Sequence, residues 1–281
     1  MNTIQSPKKI ALDMRVTAVT QLHERFVLIK LTSDTFALPL MLPGQFVQVR
    51  VDGSPSTFLR RPISICNVDR SRNELWLLVA IVGDGTRWMA SLTSGDVVNI
   101  VGPLGQGFSN PGCIDGGQGG TSEDQGGKTA LHSALLVGGG VGVAPLLFLG
   151  SALKAVGAVP VILLGARTAG DLLLLDEFRQ YGEVLVTTED GSAGERGFVT
   201  NHSVLGGSRR FDMIQSCGPT PMMKAVARYA SQQDIECEVS LENMMACGLG
   251  ACLCCVEKTV EGNLCVCKEG PVFNIKRLLW N

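Results

Sequence analysis

Two rhythms divide the chain. Between residue 14 and about residue 108, apolar positions fall in short β-rich runs at 15–19, 26–31, 46–51, 63–68, 75–81 and 97–101, separated by turn residues. Six runs at this spacing predict a small antiparallel β-barrel. Further on, strand-like runs at 134–137, 159–164, 183–187 and 213–216 are each followed by a helical stretch, for example 221–232. That alternation predicts a parallel sheet covered on both faces. The intervening segment 109–130 holds seven glycines and almost nothing apolar, which reads as a flexible linker, with Cys113 inside it. From about residue 239 glycine and cysteine become frequent, predicting a third, small, metal-stapled unit. The expected units are therefore 1–108, 109–130, 131–238 and 239–281, with no internal repeat.

The stretch 134–166 carries one charge, Lys154, and imitates a membrane span by hydropathy. Its glycines and Pro145 and Pro160 break a spanning helix repeatedly, so it reads as strand, glycine turn, buried helix, turn and second strand. No membrane association is expected.

At 281 residues the chain is long for one domain. Hydrophobic residues make up 45%, charged residues 18%, and the formal net charge is −2, which indicates neither disorder nor a polyanion-binding surface. Nucleic acid is not an expected partner. The first residues lack the apolar stretch of a secretory signal, so a reducing, cytoplasmic location is expected. The composition carries ten cysteines against three histidines, and six of the cysteines lie between Cys247 and Cys267. In a reducing compartment such a cluster binds metal or performs redox chemistry.

Within that cluster, Cys247-Gly-Leu-Gly-Ala-Cys252-Leu-Cys-Cys255 followed by Cys265-Val-Cys267 has the C-x4-C-x2-C spacing of plant-type [2Fe-2S] centres. Small residues at 248, 250 and 251 let the backbone wrap closely around an iron-sulfur core. Cys247, Cys252 and Cys255 are the expected ligands, with either Cys265 or Cys267 as the fourth. A zinc staple on Cys252, Cys255, Cys265 and Cys267 is the alternative, and it leaves the C-x4-C spacing unexplained.

A second motif, Leu136-Val-Gly138-Gly-Gly140-Val-Gly142-Val-Ala-Pro145, runs from strand into helix. Gly138, Gly139, Gly140 and Gly142 there allow a cofactor's phosphates to approach backbone N–H groups at a helix start. Pro145 stands where the third glycine of G-x-G-x-x-G belongs, so a ligand-free tight turn is the competing reading. A third motif joins Arg60-Arg61-Pro62-Ile63-Ser64 to Gly83-Asp-Gly85-Thr86 one strand later. Arg61 is suited to a diphosphate, Gly85 and Thr86 to donating hydrogen bonds to it, and Ser64 to a flavin ring edge. The competing reading is a pair of solvated edge charges.

Taken in order, these pieces resemble the ferredoxin reductase superfamily, and within it the electron-transfer subunits of class 1B dihydroorotate dehydrogenases, over nearly the whole chain. The resemblance is carried by Pro43-Gly-Gln-Phe46, Leu59-Arg-Arg-Pro-Ile-Ser-Ile65, Gly83-Asp-Gly-Thr86, Gly102-Pro-Leu-Gly105, the glycine turn, Cys217-Gly-Pro-Thr-Pro-Met222, Met245-Ala-Cys-Gly-Leu-Gly-Ala-Cys252 and Cys267-Lys-Glu-Gly-Pro-Val-Phe273. It implies an FAD-binding barrel, an NAD-binding α/β domain and a C-terminal [2Fe-2S] domain. The family's flavin contacts fall on Arg61, Pro62, Ile63, Ser64, Leu78, Val79, Ala80, Gly85 and Thr86. Its cluster cysteine before x-x-Gly-Pro-Val-Phe falls on Cys267. The long linker and the extra thiols Cys254 and Cys265 depart from the pattern.

A nicotinamide takes two electrons as hydride and an iron-sulfur cluster passes one, so a flavin between them accounts for three sites in one chain. The implied route runs from an FMN-containing dihydroorotate dehydrogenase subunit through the cluster and FAD to NAD+, in a two-plus-two heterotetramer. Cys217 is expected beside the nicotinamide, or else as a buried small residue. Glu189 and Asp190 are suited to ribose hydroxyls and Arg167 to a 2′-phosphate. His23, His132 and His202 are scattered and form no substrate-oxidising site. The rival readings are a diaphorase subunit of a sulfhydrogenase or of an NAD(P)H:ferredoxin oxidoreductase, and a zinc-stapled nucleotide-binding module.

Overall fold

The computed structural model describes residues 9–54, 56–109 and 133–280. Cys113, His132 and nearly all of the glycine-rich linker lie outside the described residues.

Strands β1 (Ile10–His23), β2 (Phe26–Thr32), β3 (Phe46–Val49), β4 (Arg61–Asp69), β5 (Glu74–Ala80) and β6 (Val97–Leu104) close an antiparallel barrel in the order β1-β2-β5-β4-β3-β6. Alternate side chains fill its interior, where Met14, Val47, Ile65 and Ile100 are fully buried. The short helix α1 (Asp84–Ala90) follows β5. The strands expected from the sequence are all present, with ends shifted by a few residues.

The second unit is built from β7 (Ala134–Gly139), α2 (Val143–Ala155), β8 (Val161–Ala166), α3 (Leu175–Arg179), β9 (Glu183–Thr188), β10 (Glu195–Arg196), α4 (Ser203–Gly206), β11 (Met213–Cys217), α5 (Thr220–Gln232) and β12 (Glu236–Ser240). These strands pair in parallel in the order β10-β9-β8-β7-β11-β12. The apolar stretch that imitates a membrane span is explained by the position of α2. Leu146, Leu149 and Leu153 pack in one core with Leu136 and Ile162 of the sheet and with Cys66 and Leu78 of the barrel. A helix held between two layers is apolar nearly all round. Among the described residues no helix is long and apolar enough to cross a membrane.

The C-terminal segment forms the hairpin β13 (Val256–Thr259) and β14 (Gly262–Cys265), the one-turn helix α6 (Val266–Glu269) and β15 (Val272–Asn274). β15 adds antiparallel to β12 and lengthens the sheet to seven strands. The expected break at residue 239 thus falls inside β12. Phe273 is buried in the same core as Val239 and Ile214, so the segment is sewn into the sheet rather than hung from it. It also touches the barrel, because the Gln106 amide donates to the Gly270 carbonyl at 2.5 Å.

Candidate functional site

The glycine turn after β7 opens into a cavity of about 580 Å³ between barrel and sheet. Gly139, Gly140, Gly165, Thr187 and Glu189 line it from the sheet, and Arg25 and Phe26 from the barrel. Arg25 Nη2 and Asp171 Oδ1 form an ion pair at 2.7 Å across its rim. The four turn glycines divide their work. Gly139 and Gly140 face the cavity, whereas a Cβ on Gly138 would meet Leu146 at 2.9 Å, and one on Gly142 would lie 2.5 Å from the Gly218 backbone. We therefore expect Gly142→Ala to destabilise the protein by about 1–3 kcal/mol, because a rigid backbone neighbour must move. The shift of the urea midpoint at constant slope measures this.

This cavity fits a dinucleotide. The Thr187 hydroxyl is fully buried on its wall without a hydrogen-bond partner, and such a group normally has one. The acidic pair expected for ribose is split. Asp190 Oδ1 accepts from the Ser192 hydroxyl at 2.6 Å and the Ser192 amide at 3.0 Å, which holds its carboxyl below the usual range, while Glu189 and Arg167 line the cavity. Cys217, at the end of β11, is buried and does not line the cavity. Burial, reinforced by Glu242, pushes its thiol up to about 12.

At the start of β4 the two arginines differ in kind. Arg60 donates to the carbonyls of Gln48 and Asn99 at 3.2 and 3.1 Å and to Asn99 Oδ1 at 2.5 Å, tying β3 to β6. Arg61 has hydrogen bonds only to the Leu59 and Arg60 carbonyls among the described residues, which leaves most of its fork free. A Cβ on Gly85 would lie 3.1 Å from Arg61 Nε, so the bare backbone at the start of α1 faces the guanidinium. That cradle fits a diphosphate. The Thr86 hydroxyl contributes differently from expectation. It donates to the Gly83 carbonyl and accepts from the Val82 and Gly83 amides, so it holds the turn and leaves only backbone N–H groups for a ligand. Pro62 and Ser64 pair with Gln48 and Phe46 and lie on the outer barrel face, whereas Ile63 and Val79 point into the barrel core and Leu78 packs toward the sheet. Ile63 and Val79 can therefore meet a flavin only through their backbone, and Ala80 packs beside Leu78.

The cysteine loop follows β12. Gly248 and Gly250 have φ of +70° and +83°, conformations that turn the following amides toward sulfur. The Leu249 amide donates to Cys247 Sγ at 3.3 Å, the Gly250 amide to Cys267 Sγ at 3.1 Å, and the Cys267 amide to Cys255 Sγ at 3.4 Å. Cys252 neighbours Cys247, and both Cys255 and Cys247 neighbour Cys267, so the four thiols form one group. The Leu249 and Cys252 amides lower the Cys247 thiol to about 6, while burial and Cys255 raise the Cys267 thiol to about 12. Among the described residues no three Cys, His, Asp or Glu side chains close on a single metal ion. Four neighbouring thiols with backbone amides aimed at sulfur suit a two-iron core held by four thiolates. Cys265, at the end of β14, has its amide on Glu269 Oε2 at 2.9 Å and among the described residues receives no amide at its sulfur, and Cys254 is exposed.

Barrel, nucleotide cavity and thiol loop together define a ferredoxin-reductase-type electron carrier. Residues 136–228 match the oxidoreductase NAD-binding domain, and residues 242–279 match the iron-sulfur cluster binding domain of dihydroorotate dehydrogenase B. The structure is similar to that of an NADH-dependent reduced ferredoxin-NADP oxidoreductase, with a TM-score of 0.78, 30% identity, and coverage of 95% of this chain and 90% of that one. It shares its fold with the cytochrome b5 reductase domain of Ulva prolifera nitrate reductase, with a TM-score of 0.63, 17% identity, and coverage of 84% and 97%. Among curated proteins, the dihydroorotate dehydrogenase B (NAD(+)) electron transfer subunits of Fusobacterium nucleatum and Lysinibacillus sphaericus are 39% and 40% identical, over 82% and 83% of this chain and 84% and 85% of theirs. The chain belongs to the family of dihydroorotate dehydrogenase B electron transfer subunits.

Proposed function

We propose that the chain carries electrons, taken from dihydroorotate by an FMN-containing partner subunit, through a [2Fe-2S] cluster and FAD to NAD+. The assembly is a cytoplasmic two-plus-two heterotetramer in pyrimidine (UMP) synthesis. The observation that supports this most directly is that Gly248 of the cysteine loop lies against Gln48 of β3, on the barrel face that also presents Pro62 and Ser64. Cluster and flavin sites then adjoin.

When bound, the flavin links a one-electron carrier to a hydride acceptor. In this reading Arg61 and the backbone N–H groups at Gly85 and Thr86 bind the FAD diphosphate. Pro62 and Ser64 hold the ring edge, with Ile63, Leu78, Val79 and Ala80 bounding it. The turn from Gly138 to Gly142 receives NAD+ with Thr187, Glu189 takes ribose hydroxyls, and Cys217 packs behind. Cys247, Cys252, Cys255 and Cys267 hold the cluster. Exposed Met244 (83%), Leu249 (47%) and Leu253 (63%) surround the loop and form an apolar rim suited to the partner subunit. The histidines support assigning dihydroorotate oxidation to that partner. His202 accepts from the Val204 amide at 3.0 Å to cap α4, and His23 accepts from the Arg25 amide at 3.3 Å.

The test is the visible spectrum of anaerobically purified protein, with iron, sulfide, zinc and flavin assays before and after dithionite. Flavin bands over a cluster absorption that bleaches, with about two iron and two sulfide per chain, are expected. A colourless zinc protein overturns the proposal.

A further inference from the structure

Among the described residues, a buried side-chain amide beside the cysteine loop has both of its polar atoms unpaired. Gln48 is 1% exposed, and among the described residues neither Nε2 nor Oε1 of its amide has a hydrogen-bond partner. Buried polar atoms are normally hydrogen-bonded, so a side-chain amide at this position implies something that satisfies it. The backbone beneath it is fixed, since Gln48 pairs with Pro62 on β4 and Val101 on β6 and its carbonyl accepts from Arg60. The side chain reaches the cysteine loop, because a Cβ on Gly248 would lie 2.7 Å from Gln48 Nε2 and 2.8 Å from its Cγ. Gly248 directly follows Cys247, whose sulfur already accepts the Leu249 amide.

We infer that the Gln48 side-chain N–H donates to a sulfur of the bound cluster on its Cys247 side, and so sets the cluster's reduction potential against that of the flavin. The inference rests on the proposed [2Fe-2S] assignment. A donor aimed at cluster sulfur stabilises the extra negative charge of the reduced form, and hydrogen bonds to sulfur are one of the protein's means of adjusting such potentials. Gln48 is thereby a positioning and tuning residue rather than a ligand. It pairs with Pro62 and shares the outer barrel face with Pro62 and Ser64, where cluster and flavin sites adjoin.

The experiment is an EPR-monitored redox titration of the holoprotein and of Gln48→Met, which keeps length and volume while removing both polar atoms. The expected result is unchanged iron and FAD content, a cluster reduction equilibrium lowered about tenfold, equivalent to about 59 mV for one electron, and an unmoved flavin potential. An unchanged cluster potential, or a shift confined to the flavin, overturns the inference. Pulsed EPR of the reduced wild-type cluster, with the glutamine side-chain nitrogen labelled with 15N, decides the matter even if the variant loses its cluster. A nitrogen coupling that exchangeable protons share is expected, and its absence is contradictory. A wild-type protein without iron would instead sink the cluster assignment itself.

Discussion

Cys267→Ser is expected to abolish dihydroorotate-driven NADH formation while leaving NADH-driven reduction of a flavin-level dye within about twofold. Cys267 is buried, receives the Gly250 amide at 3.1 Å and donates its own amide to Cys255 Sγ, so its loss removes one of the four expected cluster ligands. Changes to groups that merely support metal ligands cost about 10–100-fold, and removal of a ligand costs more. Cys265→Ser is the control. Its thiol lies beside these four and, among the described residues, has no amide directed at it, so iron content and NADH formation stay near the wild-type values. Iron analysis of the two variants, run beside both activities, checks this. Equal loss in both variants, or loss only in Cys265→Ser, contradicts the ligand set.

Arg61→Ala is expected to weaken FAD binding about 10–100-fold, the equivalent of the roughly 1.5–3 kcal/mol carried by hydrogen bonds to a charged group. Fluorescence of released FAD on dilution measures it. The apoprotein should unfold at nearly the wild-type temperature, because among the described residues Arg61 joins only the carbonyls of Leu59 and Arg60 beside it. Arg60→Ala should behave in the opposite way. It removes the ties between β3 and β6 and lowers stability of the apoprotein and holoprotein alike. The contrast separates two adjacent arginines that a sequence presents as one charged pair.

How far the molecule is legible in its sequence follows from which signals are local. The barrel strands and the alternating unit are local, carried by periodicity and turn residues, and the structure reproduces them. The thiol spacing is local too, since C-x4-C-x2-C places three sulfurs on one loop. The choice between Cys265 and Cys267 is not, because two residues two apart are equivalent until α6 turns Cys267 inward beneath Gly250. β15 is invisible for a similar reason. Three residues, Val272–Asn274, become a strand only because β12 offers them an edge. The Thr86 hydroxyl reads as a ligand group in sequence, yet the turn it caps consumes it. Gln48 carries no signal of its own, as one polar position in an apolar strand. Its meaning comes from a loop 200 residues away that closes over it.

In the proposed function this chain links a dihydroorotate-oxidising subunit to NAD+. The most direct test mixes the reconstituted holoprotein with an FMN-containing dihydroorotate dehydrogenase subunit under anaerobic conditions and follows NADH absorbance after dihydroorotate is added. NADH should form only when both proteins are present, and the Cys267→Ser chain should not support it. NADH formation by this chain alone, or by the mixture containing the Cys267→Ser chain at the wild-type rate, would contradict a route through the cluster from the partner to NAD+.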